Sequence, residues 1–279
     1  MRLPDPGHET IALPAASSAL LESVAALTPL ADRESRPEEL VRIVRDWGRQ
    51  LCGRIAPDAS VSNRLRMLNF FFFQELGFRG ESSGGEWADA SCLHRVIEQR
   101  SGIGLPLSIL YIEIGRAIGL KLGALEFPGG ILVKVVCTGG VLVIDVLDGG
   151  ATLSVEQLRT RLGSSCGPNP SDARGTLERM LRAVPEDDIP LRILRSLRQR
   201  HQAAGRWQEA LAVQSQLVQL RPSDRRELLQ RAGLYERLDC ARAAALDLLA
   251  CLRLDPDAAD ASSIRRRWAA LQQRSRHLH

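Results

Sequence analysis

Cys92 and His94 stand two residues apart and are the first thiol and imidazole to consider as a nucleophile and its base. On a helix, positions i and i+2 point about 200° apart, so the two side chains diverge. The expectation is a buried thiol and a surface imidazole. Ser108 sits in an apolar helical run, where a hydroxyl commonly bonds back to the preceding turn, and no His is placed to activate it. His277 and His279 close the chain and read as a tail. The six Cys contain no C-x-x-C pair, which argues against a zinc ribbon and a compact disulfide scaffold. No metal and no cofactor is expected. Gly77–Gly80 lacks the Lys-Ser/Thr of a phosphate loop. Arg195, Arg198 and Arg200, and the run Arg265–Arg267, raise nucleic-acid binding. Without interleaved aromatics or a known reading motif they are better read as a solvated face.

The elements that must position any site divide the chain by hydrophobic period. Pro37–Ile55 places Leu40, Ile43, Val44, Trp47 and Leu51 at helical spacing. Val61–Leu76 carries four consecutive Phe, Phe70–Phe73, which predicts a helix buried on most of its surface. Asp89 reads as the cap of a helix through Arg100. Pro106–Ile118 is apolar nearly all round and reads as a central buried helix. The period then drops to two: Leu122–Phe127, Ile131–Cys137 and Val141–Val146 read as strands. Ser154 with Gln157 forms a capping box. The Gly, Ser, Pro and Asn of Gly163–Gly175 mark a boundary.

Beyond it all patterns are helical and repeat at 34 residues. Leu194 matches Leu228, Ala210 matches Ala244, Leu220 matches Leu254, and Pro222 matches Pro256. That is the period of tetratricopeptide hairpins. Two units are fewer than usually stand alone, so they need support from Thr176–Val184, from a last helix near Ala259–Arg274, or from the first domain. Residues 1–35 form an N-terminal segment, 36–165 one domain and 176–279 another. The first 170 residues carry 17 basic and 19 acidic side chains, and the remainder 20 and 14. No apolar run of eighteen residues occurs, and the acidic, Pro-containing start does not read as a signal peptide. A reduced, cytoplasmic protein with no membrane partner is expected.

LNFFFFQELGFRG (Leu68–Gly80), GIGLPLSILYIEIGRAIGL (Gly102–Leu120), FPGGILVKV (Phe127–Val135) and VIDVLDGG (Val143–Gly150) occur in that order. With LLQRAGLYERLDCARAAALDLLACLRLDP (Leu228–Pro256), this set resembles the bacterial SirB-type family over roughly residues 35–275. The resemblance implies an α+β fold. A transglutaminase-like (papain-like cysteine hydrolase) core, with a central helix on a small antiparallel sheet, would precede an all-α tetratricopeptide-like region. Active members of that superfamily present Gly-x-Cys at the head of the central helix, a His at the start of the second strand and a carboxylate on the third. Matched residue by residue, the nucleophile position falls on Gly104, the base on Gly130 and the carboxylate on Asp145. No Cys or His lies within six residues of either glycine. Glycine has no group to attack or to take a proton, and a lone Asp cannot run nucleophile–base chemistry.

The expected function is therefore a non-catalytic protein-interaction or regulatory protein, a pseudoenzyme with no catalytic residue. The alternatives are a transglutaminase-like amidase or protease with an altered nucleophile, and a nucleic-acid-linked regulator. Repeat helices of this type bind along the first helix of each pair, here Leu191–Ala204 and Arg225–Leu238. Arg195, Arg198 and Arg226 are the candidate groove residues, suited to a protein partner with an acidic segment. The competing reading is a solvated basic face.

Overall fold

The computed structural model describes residues 19–30, 34–81, 93–163 and 170–276. Cys92, Cys166, Asp89, His277 and His279 lie outside the described residues. Helix α1 (Ala19–Ala25) leads through a short 3-10 turn (Thr28–Leu30) to α2 (Pro37–Cys52). Helix α3 (Val61–Asn69) starts at Ser60, whose hydroxyl accepts from Asn63 N–H, and runs on as a π-helical turn over Phe70–Glu75. The widened turn redistributes the four Phe. Phe71 and Phe72 are buried, whereas Phe70 faces solvent, so the run is less uniformly covered than its composition predicts.

Strand β1 (Arg79–Gly80) pairs in parallel with β2 (Ser101–Gly102), and α4 (Leu93–Gln99) lies between them in sequence. Helix α5 (Gly104–Ala117) follows, with Leu107, Ile109, Leu110, Tyr111, Ile112 and Ile114 all fully buried. It packs on β3 (Leu122–Phe127) and β4 (Gly130–Cys137), which with β5 (Gly140–Asp145) and β6 (Ala151–Thr152) form an antiparallel sheet in the order β3-β4-β5-β6. Helix α6 (Val155–Leu162) opens with the expected capping box: Ser154 Oγ accepts from Gln157 N–H and Gln157 Oε1 from Ser154 N–H.

Helix α7 (Pro170–Met180) belongs with the sheet. Leu177 joins Leu125, Phe127, Leu132, Val143, Leu158 and Leu162, and Lys134 Nζ donates to the Leu181 carbonyl at 2.9 Å. The remaining helices are α8 (Ile189–Ala203), α9 (Trp207–Leu220), α10 (Arg225–Arg237), α11 (Ala241–Leu254) and α12 (Ala261–Arg276).

Two compact units result. The described residues of the first are 19–21, 41–81, 100–163 and 170–183; those of the second are 22–30, 34–40, 93–99 and 184–276. The division after Ala183 comes later than the Gly-rich stretch suggests, because the apolar face of α7 completes the sheet's core. The segment Thr176–Val184, read as a prop for the helical half, is thus mostly part of the first unit. The chain before Leu40 also changes sides, since Leu27 and Leu30 pack with Leu191, Leu194, Leu197, Val213 and Leu217. At the other end Ile264, Trp268 and Leu271 of α12 close over Leu228, Ala232, Ala244 and Leu248. The two repeat hairpins are thereby flanked on both sides within their own unit, as stacked repeats require. The 34-residue match holds for the core: Leu194 with Leu228 and Ala210 with Ala244 are all buried. Leu220 and Leu254 match as surface positions, each 45% exposed.

Candidate functional site

The first unit brings the matched positions to one end of its sheet. Val133 pairs with Ile144 in the antiparallel β4–β5 ladder, so the start of β4 at Gly130 lies beside the end of β5 at Asp145. The strand before α5 reaches the same end. Gly80 pairs with Gly102, and Gly80 is pressed so closely on Leu147 that a Cβ there would fall 2.4 Å from the Leu147 carbonyl oxygen. Two residues after Gly102, Gly104 heads α5, with Ile103 as an N-cap that has no polar side chain to offer.

Neither glycine is only a missing side chain. Gly104 has φ +43° and Gly130 φ +143°, both in territory that L residues rarely adopt. A Cβ at either position would meet nothing within 4 Å, so space is free while the backbone is unsuited to a Cys or a His. Asp145, 6% exposed, is fully engaged. The N–H groups of Leu147 and Asp148 donate to its Oδ1 at 3.0 and 3.3 Å, and Arg161 of α6 donates to Oδ2 at 2.7 Å. The carboxylate staples the turn after β5 to α6. The sequence offers no signal for Arg161, because only the fold of α6 back along β5 brings the two charges together.

Ser108 is completely buried, and its Oγ has no hydrogen-bond partner. The expected bond to the preceding turn is not made. One turn further along α5, Tyr111 Oη donates to Asn69 Oδ1 at 2.5 Å, and Asn69 Nδ2 donates to the Gly150 carbonyl at 3.2 Å. Burial pushes the Tyr111 pKa well above its ordinary value, so the phenol stays protonated and serves as a donor.

In the helical unit the three candidate arginines separate. Arg198 is 8% exposed and donates to Gln214 Oε1 at 2.6 Å and to Glu227 Oε2 at 3.4 Å. Arg195 donates to Glu227 Oε1 at 2.7 Å, and Gln214 Nε2 bonds Glu227 Oε2 at 3.0 Å. Burial lowers the Arg198 pKa, and Glu227 partly restores it. These two guanidiniums tie α8 to α10 through the buried Glu227; Arg198 is buried with it and so does not line an open groove as expected, whereas the Arg195 side chain stays 41% exposed. Arg226 is exposed. Arg231 and Asp247 form a second, bidentate pair between α10 and α11, at 2.8 and 2.7 Å. His94 pairs with Glu98 on its own helix at 3.2 Å. Among the described residues no group of three His, Cys, Asp or Glu could hold a metal ion, and no helix is long and apolar enough to cross a membrane.

A helix on a small antiparallel sheet in one unit, and stacked helical hairpins in the other, define a transglutaminase-like domain followed in the chain by tetratricopeptide repeats. Family comparison agrees. The transglutaminase-like superfamily profile matches residues 38–195, and a tetratricopeptide repeat profile matches residues 197–269. A UPF0162 protein of Xylella fastidiosa is 31% identical over 204 residues, covering 72% of each chain. A UPF0162 protein of Pseudomonas aeruginosa is 28% identical over 242 residues, covering 86% of this chain and 85% of its own. Protein SirB1 of Salmonella typhimurium is 22% identical over 211 residues, covering 76% of each. No solved structure matches. The chain belongs to the transglutaminase-like superfamily, among the UPF0162 and SirB1 proteins.

Proposed function

We propose that this is a non-catalytic interaction protein, whose transglutaminase-like domain has lost its chemistry and whose repeats bind a protein partner in a regulatory association in the cytoplasm. The observation that carries the reading is the pair of backbone angles at Gly104 and Gly130. Both triad positions lack a side chain, and both hold a conformation in which a Cys or His would be strained. The carboxylate that would orient a base is committed to Arg161 and two backbone amides. The tetratricopeptide match and the SirB1 relative support a protein-binding role. The acidic-segment reading of the partner now rests mainly on the exposed Arg226, since Glu227 engages Arg195 and Arg198.

The test is turnover. Purified full-length protein should release no ammonia from glutamine peptides and should hydrolyse no member of a broad amide and ester panel. Turnover that Asp145→Asn abolishes while the melting curve is unchanged would show a working site and overturn the proposal. In parallel, partners captured with the intact protein should be lost on Arg226→Glu if an acidic segment is what binds.

A further inference from the structure

Within the helical unit, one face of α8 is covered by the chain's N-terminal turn. Leu191, Leu194, Leu197 and His201 recur along α8 at three- and four-residue spacing, and all four are buried. The three leucines form one apolar cluster with Val213 and Leu217 of α9, and Leu27 and Leu30 pack into it. His201 ends the row, with the Leu30 backbone beside its ring.

The turn spends its own polar groups on itself. Leu27 N–H donates to the Val24 carbonyl and Leu30 N–H to the Leu27 carbonyl, both at 3.1 Å. Thr28 Oγ1 donates to the Ala25 carbonyl at 2.7 Å, and Ser35 Oγ donates to Thr28 Oγ1 at 3.0 Å. The turn therefore meets α8 and α9 through Leu27, Leu30 and the backbone at His201. Helix α1, which leads into it, has seven residues, and a helix that short does not persist in water without packing.

The imidazole is the one group in this contact that can gain a charge near neutral pH. Burial acts on it most strongly and disfavours the proton. Arg206, whose N–H donates to the His201 carbonyl at 2.8 Å, acts in the same direction, and so does Arg200 of α8. Glu209 of α9 opposes them, and from the N-terminal turn the Leu30 backbone also favours the proton. Lifting the turn returns the ring to water and removes the strongest of these obstacles, so protonation and lifting are linked.

We propose that the turn Thr28–Leu30 is a strap over the first repeat hairpin with His201 as its latch, closed while the imidazole is neutral and released by its protonation, which bares the apolar face of Leu191, Leu194, Leu197, Val213 and Leu217. The device lies within the helical unit and holds or fails independently of whether the first unit has catalytic activity.

Hydrogen–deuterium exchange of the full-length protein, followed by mass spectrometry from about pH 7.5 to about pH 5.5, tests this, with each rate divided by the intrinsic rate at that pH. A ring that titrates near 6.5 when exposed and stays neutral when covered raises the open population about tenfold over that window. Protection across residues 22–30 should fall by that factor. It should also stay well below that of α10 throughout, because the strap opens without unfolding the repeats. His201→Gln removes the titrating group and should give a profile that does not change with pH. Wild-type protection that is constant over the window, an equal fall in His201→Gln, or protection across 22–30 as high as that of α10 overturns the proposal. Should His201→Gln fail to fold, His201→Leu extends the leucine row at the same spacing and is held to the same outcomes.

Discussion

The two units treat buried charge in different ways. In the first, Asp145 is satisfied by one arginine and two amides, while the positions that would complete a catalytic set are bare glycines beside free space. In the second, Glu227, Gln214, Arg195 and Arg198 share one network, and Arg231 with Asp247 forms another. The helical unit has used its polar groups to fix helix against helix, whereas the sheet unit keeps room that its side chains do not fill. Packing of α5 on β3 and β4 needs no side chain at Gly104 or Gly130. In the repeats the polar groups are part of what sets the packing.

Breaking the network should show the largest effect. Glu227→Ala leaves Arg195, Arg198 and Gln214 without their shared acceptor, and removing one partner of a buried pair costs about 3–5 kcal/mol. Denaturant unfolding should register that loss, and amide exchange should place it in α8 and α10. A change within a few tenths of a kcal/mol would mean the network is not structural, and the contrast between the units would dissolve.

A smaller effect is expected at the bare site. Gly104→Ala forces a side chain onto a φ of +43° and should cost about 1–2 kcal/mol despite the open space. Gly104→Cys combined with Gly130→His strains both positions, should cost roughly the sum of two such penalties, and should not produce an activated thiolate. A thiol titrating well below about 8.5 in that double variant would show that the backbone relaxes into a working geometry.

The smallest effect is a pH dependence of the helical unit. His201 is 5% exposed, with the Leu30 backbone beside its ring. Burial first, then the charge of Arg206, lowers its pKa below the ordinary 6.5, with Glu209 opposing. The folded state therefore binds its proton less readily than the unfolded state. Its contribution is complete above pH 6.5 and is lost as pH falls from there through the lower folded value. Tm of the wild-type protein should decline over that window more than that of His201→Gln. Parallel curves would remove His201 from the account.

Much of the architecture was legible before any coordinates. A central helix apolar on every face, three β-branched runs with tight turns, and a 34-residue echo of Leu and Ala each follow from local period. Local period is what the order of residues encodes directly. The capping box at Ser154 is of the same kind, since both partners lie within one turn. That no Cys or His lies within six residues of Gly104 or Gly130 is likewise read directly from the order of residues.

Tertiary structure alone decided the rest. Arg161 reaches Asp145, Glu227 takes in Arg195 and Arg198, and Leu177 seals the sheet while Leu27 joins the repeats. Arg198 reads as a groove residue in the sequence because a solvent-facing and a buried arginine are identical there. Which one an arginine becomes depends on whether a distant carboxylate arrives within about 3 Å, and that is a property of packed helices and not of chain order.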